Sequence, residues 1–338
     1  MDRVERPLAL TLGDPAGISP DITLLAFQAR VAERIPPFVL LGDADVLAAR
    51  ARTLGLAVAI EAIREPGAAT WRFTEALPVL PIAVSGGVIP GRPDPAAAGA
   101  IQQSIEDAVT LVLEGAASAI VTNPISKAVL YRGGFGFPGH TEFLASLSEL
   151  PVSDSVMMLV ADDLKVVPVT IHIPLKDVPS TLTQTLIVKT LATTARDLAR
   201  YFGLARPRIA VTGLNPHAGE DGTMGREEID IIVPAIEAAR SQGLNVTGPH
   251  SADALFHADA RKTYDVAVAM YHDQALIPFK TLAFDIGVNA TLGLPFVRTS
   301  PDHGTAFALA GTGKASPRSL IEALRLADAM RRRAEGES

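Results

Sequence analysis

Seven histidines occur in this chain of 338 residues, and three of them share one context: each follows a short apolar run and stands at or near the start of a loop. His172 follows 166–171, His217 follows 209–212 through Gly213-Leu214-Asn215-Pro216, and His272 follows the run that ends at Tyr271. Ligands of α/β sheets bind outside the carboxyl ends of the strands, so three such imidazoles are candidates to converge on one cation. Neutral imidazoles with open coordination positions suit zinc, and equally cobalt or nickel, and leave room for substrate oxygens. The competing reading is that each histidine separately caps a strand or bonds a carbonyl. That fits any one of them taken alone; the three together favour a metal. Asp273, beside His272, and Asp253 are either acceptors that fix imidazole tautomers or solvated surface carboxylates.

A second group is polar and cationic: His140, Thr141, Lys280, Asn289 and Arg298. Arginine offers a planar fork to phosphate or carboxylate and lysine a point charge, while Asn and Thr supply directional hydrogen bonds. Together they describe a pocket for a small anion. Individually, Lys280 and Arg298 also read as surface charges and Asn289 as a turn residue.

Composition narrows the chemistry. With no cysteine, disulfides, thiolate metal sites and cysteine nucleophiles are excluded. The net charge of −7, with no basic block outside Arg331-Arg332-Arg333, argues against a nucleic-acid or anionic-membrane partner. No apolar run approaches the ~18 residues needed to span a bilayer, and a cytoplasmic address is expected. Gly134-Phe135-Gly136-Phe137-Pro138-Gly139 matches G-x-G-x-x-G, but a helical stretch precedes it where a dinucleotide fingerprint needs a strand. Gly311-Thr312-Gly313-Lys314 lacks the first glycine and the magnesium-touching hydroxyl of a phosphate loop.

The elements that must position these residues alternate short Val/Ile/Leu runs with helical patterns, which reads as α/β with a largely parallel or mixed sheet. Strands are expected at 8–12, 38–41, 79–84, 119–122, 156–160, 166–171, 209–212 and 266–270. Helices are expected at 21–33, 44–54, 96–114, 182–201, 227–242 and 319–333. The length suggests about two domains, and the Pro/Gly-rich stretches 89–95 and 133–139 are candidate crossings between two interleaved lobes.

At these residues the chain resembles the 4-hydroxythreonine-4-phosphate dehydrogenase family of pyridoxal phosphate biosynthesis. The matching segments are Thr11-Leu12-Gly13-Asp14-Pro15-Ala16-Gly17-Ile18, Thr122-Asn123-Pro124-Ile125-Ser126-Lys127, Gly139-His140-Thr141-Glu142, Leu214-Asn215-Pro216-His217-Ala218-Gly219-Glu220, Tyr271-His272-Asp273-Gln274 and Gly293-Leu294-Pro295-Phe296-Val297-Arg298-Thr299-Ser300. The resemblance implies a two-lobed fold like isocitrate and isopropylmalate dehydrogenases, with a cleft between lobes and no Rossmann domain. It places 1–135 with 285–338 in the first, cofactor-side lobe and 136–284 in the second, with the metal ligands and dimer interface. It implies one divalent ion per subunit (zinc, magnesium or cobalt) on His172, His217 and His272, and substrate on His140, Thr141, Lys280, Asn289 and Arg298. It also implies NAD or NADP near His303, Gly304, Thr305 and Ala306, and a homodimer whose active site takes ligands from both chains. The implied reaction oxidises 4-phosphooxy-L-threonine, with decarboxylation to 3-amino-2-oxopropyl phosphate, Lys280 assisting proton transfer or binding phosphate. Ser19-Pro20-Asp21 departs from the family's usual Gly-Pro-Glu, and Ala275 from its frequent Gly. Rival readings are 4-phospho-D-threonate or erythronate dehydrogenase and dihydrodiol-dicarboxylate dehydrogenase on the same scaffold; more distant ones are a redox-free metal hydrolase or lyase and a non-catalytic binding protein.

Overall fold

The computed structural model describes residues 6–137, 140–148, 155–162 and 164–337. The described strands are β1 (Leu8–Thr11), β2 (Phe38–Gly42), β3 (Ile60–Ala62), β4 (Leu77–Pro81), β5 (Ile120–Val121), β6 (Val156–Ala161), β7 (Leu164–Thr170), β8 (Ile209–Thr212), β9 (Val246–His250), β10 (Val266–Tyr271), β11 (Val288–Leu292) and β12 (Arg298–Pro301). The chain divides into two compact units, Met1–Val152 with Leu294–Arg332, and Ser153–Gly293 with Arg333–Ser338.

In the first unit the order is β3-β4-β2-β1-β5-β12, and every described pair is parallel. Parallel strands are covered on both faces and read as continuous apolar runs, as in Leu8-Ala9-Leu10 and Phe38-Val39-Leu40-Leu41, all essentially buried. Helix Ala98–Leu113 supplies one cover, packing Ile101, Ile105, Ala108 and Val109 onto Ala9, Leu41 and Ile120. Each such Ile contributes about 1.5–3 kcal/mol by its burial. Helix Ala44–Leu54 starts at Asp43, whose carboxylate accepts from Asp45 N at 2.9 Å and Val46 N at 3.2 Å, and stops at Gly55 with φ +67°. This cap and stop match the expected bounds 44–54.

In the second unit the order is β11-β6-β7-β10-β8-β9. The β11/β6 and β6/β7 pairs are antiparallel and the others parallel. Neither order is the Rossmann 3-2-1-4-5-6, so the α/β, non-Rossmann expectation holds. The G-x-G-x-x-G match does follow a helix, Lys127–Arg132.

The unit boundaries fall later than 135/136 and 284/285. Helix His140–Leu147 belongs to the first unit because Phe143 and Leu144 join its core beside Ile101 and Ile105, with Phe135 and Phe143 rings 5.0 Å apart edge to face. Residues 285–293 belong to the second unit because β11 pairs with β6, Asn289 opposite Leu159. The stretch after Tyr271, read as a loop, is helix His272–Ala283; Pro278 inside it removes one helical hydrogen bond and breaks the sequence signal. Among the described residues no helix is long and apolar enough to cross a membrane.

Candidate active site

In the second unit β7, β10 and β8 are parallel neighbours, so their carboxyl ends lie side by side. His172 comes two residues after β7, and His272 opens the helix that follows β10 directly. Their ring centroids are 5.7 Å apart, and both line a cavity of about 230 Å³ with Ile171, Tyr271 and Asp273. His272 Nδ1 lies 2.7 Å from Asp273 Oδ1. An Nδ1–H donating to that carboxylate leaves Nε2 with its lone pair free for a ligand. The His272 side chain is 36% exposed and that of Asp273 67%.

His217 lies on an adjoining cavity of about 340 Å³, lined also by Asn215, Ser251, Asp253, Tyr271 and Gln274. Tyr271 is the wall common to both cavities. Ser251 Oγ donates to Asp253 Oδ1 at 2.5 Å, and this bond, helped by the charge of His217, holds the Asp253 carboxyl below the usual range. Among the described residues no three His, Asp or Glu side chains gather on one point. The structure thus pairs His172 with His272, each expected carboxylate standing beside a histidine, and sets His217 next door. The donor set, imidazole backed by carboxylate, fits a divalent ion of the zinc or cobalt type.

The turn that carries His217 is left-handed. His217, Ala218, Gly219, Glu220, Asp221 and Gly222 have φ of 52°, 52°, 80°, 40°, 55° and 91°, which costs each non-glycine residue about 1–2 kcal/mol. Gln274, which the sequence reading passed over although it ends the Tyr-His-Asp-Gln motif, ties this turn to the strand ends. Its Oε1 accepts from Thr212 Oγ1 and Met270 N, both at 2.7 Å, and its Nε2 donates to Gly213 O at 2.8 Å.

Lys280 rides the His272–Ala283 helix eight residues beyond His272, about 12 Å along the axis, its Nζ 5.6 Å from the Phe284 ring centre. Asn289 Oδ1 is buried with no hydrogen-bond partner among the described residues, an acceptor available to a ligand.

In the first unit Arg298, 3% exposed, donates from Nη2 to Thr122 Oγ1 at 2.6 Å. Burial pushes its guanidinium down to about 10, so it stays charged at neutral pH. A charge so desolvated attracts an anion more strongly than one in water. The loop after β1 is a buried polar network. Asp14 Oδ1 accepts from Ala16 N at 3.0 Å, Arg50 forms an ion pair with Asp21 and donates to Gly17 O at 2.9 Å and Pro15 O at 3.0 Å, and Asn123 Nδ2 donates to Thr11 O at 2.9 Å. The 303–306 loop docks on it: Ile18 N donates to Thr305 O at 3.0 Å. A Cβ on Gly17 would stand 2.8 Å from that oxygen, so glycine is required. His303 Nδ1 lies 3.1 Å from Gly304 O, and Ala306 is left-handed at φ +40°. His140 and Thr141 open helix His140–Leu147, but their side chains lie outside the described residues.

The family model described as pyridoxal phosphate biosynthetic protein PdxA matches residues 33–327. The chain belongs to the PdxA family. A curated 4-hydroxythreonine-4-phosphate dehydrogenase from Methylorubrum extorquens is 58% identical to it over 328 residues, 96% of this chain and 94% of the relative. The crystal structure of the 4-hydroxythreonine-4-phosphate dehydrogenase from Klebsiella pneumoniae is 40% identical with a TM-score of 0.85, covering 97% of this chain and 100% of its own. A terephthalate 1,2-cis-dihydrodiol dehydrogenase from Burkholderia xenovorans is 30% identical with a TM-score of 0.63, covering 96% and 98%. This PdxA-family member is therefore an oxidoreductase of pyridoxal phosphate biosynthesis, and its fold is that of the solved 4-hydroxythreonine-4-phosphate dehydrogenases.

Proposed function

We propose that this PdxA-family chain oxidises the C3 alcohol of 4-phosphooxy-L-threonine with NAD or NADP, in the cytoplasm, and that the resulting 3-oxo acid loses carbon dioxide to give 3-amino-2-oxopropyl phosphate. The alcohol carbon gives a hydride to the nicotinamide and its oxygen a proton. The C–CO₂ bond then breaks, its electron pair delocalises into the ketone, and the carbon takes up a proton. The observation that carries the substrate is the 58% identity over 96% of the chain to a curated enzyme of that name, against 30% to the dihydrodiol dehydrogenase.

His172, His217 and His272 would hold a single divalent ion per subunit, zinc, magnesium or cobalt, which would supply Lewis acidity to the reaction. Asp273 orients the His272 ring, and Asp253 stands by His217. Arg298, with its desolvated charge, binds the substrate's anionic end together with His140, Thr141 and Asn289. Lys280 takes the hydroxyl proton or pairs with the phosphate. The 303–306 loop, anchored through Thr305 O, holds the nicotinamide cofactor. A homodimer completes the site. Ile173, Leu175, Ile277, Leu282 and Phe284 are exposed apolar residues of the second unit, close in sequence to His172 and His272. A second copy covering them would let ligands from both chains share one ion, in line with the separate placement of His217.

The test is nicotinamide absorbance with 4-phosphooxy-L-threonine and NAD or NADP, before chelation, after it, and after metal is returned. Metal-restored reduction supports the reading; a clear preference for a phosphate-free dihydrodiol dicarboxylate moves the chain to that rival. Turnover without nicotinamide reduction would instead mark a hydrolase or lyase.

A further inference from the structure

A run of six left-handed residues, 217–222, persists where its surroundings over-determine it. One side chain six residues beyond the run reaches back to its entry. Glu228, 3% exposed, opens the π-helical turn Glu228–Ile232. Its Oε1 accepts from Leu214 N at 2.7 Å and Asn215 N at 2.8 Å, and its Oε2 from Asn215 Nδ2 at 2.9 Å. The same carboxylate occupies the room a side chain would need at two glycines: a Cβ on Gly213 would stand 2.9 Å from Oε1, and one on Gly219 2.5 Å from Oε2. Asn215 Nδ2 also donates to Glu227 Oε2 at 2.7 Å. One carboxylate thus bonds the entry to the turn at Leu214 and Asn215 and lies close against Gly219 in its middle, with His217 between them.

We infer that Glu228 is a positioning residue: through Asn215 and the left-handed turn it presents the His217 imidazole in one orientation to a divalent cation. This rests on the proposed role of His217 as a metal ligand. A carboxylate is suited to the task because a single group accepts several N–H bonds at once. An amide in its place keeps one acceptor and turns an NH₂ towards the Asn215 side chain, so the shape survives while the grip loosens.

The experiment is a cobalt(II) titration of the chelator-stripped, full-length protein, followed by the visible absorption of imidazole-bound cobalt, with thermal denaturation in parallel. Glu228→Gln is expected to weaken cobalt binding about 10- to 100-fold and to shift the absorption band, without a matching loss of the folded state. Asn215→Ala, which keeps the two backbone bonds to Glu228, is expected to weaken binding less, and it decides the matter if Glu228→Gln does not fold. His217→Ala is the reference. Wild-type cobalt binding in His217→Ala would overturn the ligand role on which the inference stands. A strong loss there, with wild-type affinity and spectrum in Asn215→Ala and in any folded Glu228→Gln, would overturn the positioning role alone, as would a lowered denaturation midpoint with cobalt binding intact.

Discussion

The first unit buries the polar groups of its candidate anion site, and the second leaves the imidazole and carboxylate of its candidate metal site part-exposed. In the first, Asp21, Arg50, Asn123 and Arg298 are all at most 3% exposed and bonded to partners from distant parts of the chain, while Asp14, equally buried, accepts from Ala16 N in its own loop. In the second, His272 and Asp273 keep a third to two thirds of their side-chain surface, and His217 stands on a strained turn. A desolvated charge acts strongly on a ligand but becomes a burden to folding when its partner is lost. A part-exposed imidazole can exchange an ion and adds little to stability. Damage in the first unit should therefore appear in folding or anion binding, and damage at the second unit's rim in metal binding.

The largest effect expected is that of Arg298→Ala, which should lower kcat/KM for the phosphorylated substrate by about 10²–10³-fold. Steady-state kinetics read it, and Arg298→Lys should recover only part because the fork is lost. Asp21→Ala comes next: it strands the buried Arg50 charge and frees Gly311 N, which donates to Asp21 Oδ1 at 2.8 Å. Urea denaturation should show a loss of about 3–5 kcal/mol; an unmoved midpoint would break the contrast between the units. Asp273→Asn should then weaken metal binding about 10-fold, with a stability change within about 0.5 kcal/mol, measured by cobalt titration and urea on one preparation.

The smallest effect tests the contrast through pH. Burial raises the Asp14 carboxyl above its usual value, against the lowering by its bonds from Ala16 and Gly17 N–H groups. The folded state therefore holds this proton more tightly than the unfolded one. The resulting stabilisation is present below about pH 3.8 and is lost as pH rises through the folded value. Asp14→Asn removes this loss, so the variant should gain on the wild type as pH rises from 4 to 8 in urea titrations. A constant difference across that range would show that burial does not govern this carboxyl.

Much of the fold was legible locally. The strands expected at 8–12, 38–41, 209–212 and 266–270 lie within a residue of β1, β2, β8 and β10, because strands buried on both faces are written as unbroken apolar runs. Strands β11 and β12 have no apolar signature: Val-Asn-Ala-Thr-Leu and Arg-Thr-Ser-Pro mix polar residues into central positions. At the site, the strand-end position of the three histidines was legible and so were Asp253 and Asp273 as their neighbours. Glu228 was not, since it sits 13 residues from the amide it holds and looks like any acidic residue at a helix start.

By itself the sequence determined the α/β class, the placement of three histidines beyond carboxyl ends of strands and, through its ordered motifs, the family. These depend on short-range patterns: side-chain periodicity, caps, and residue types in a row. The tertiary structure alone decided where the units divide, that His172 pairs with His272 while His217 takes the adjoining cavity, that Arg298 is desolvated, and that one carboxylate clamps a left-handed turn. Each of these is a matter of which distant residues exclude water from one another, and burial of that kind has no signature within a window of neighbouring residues.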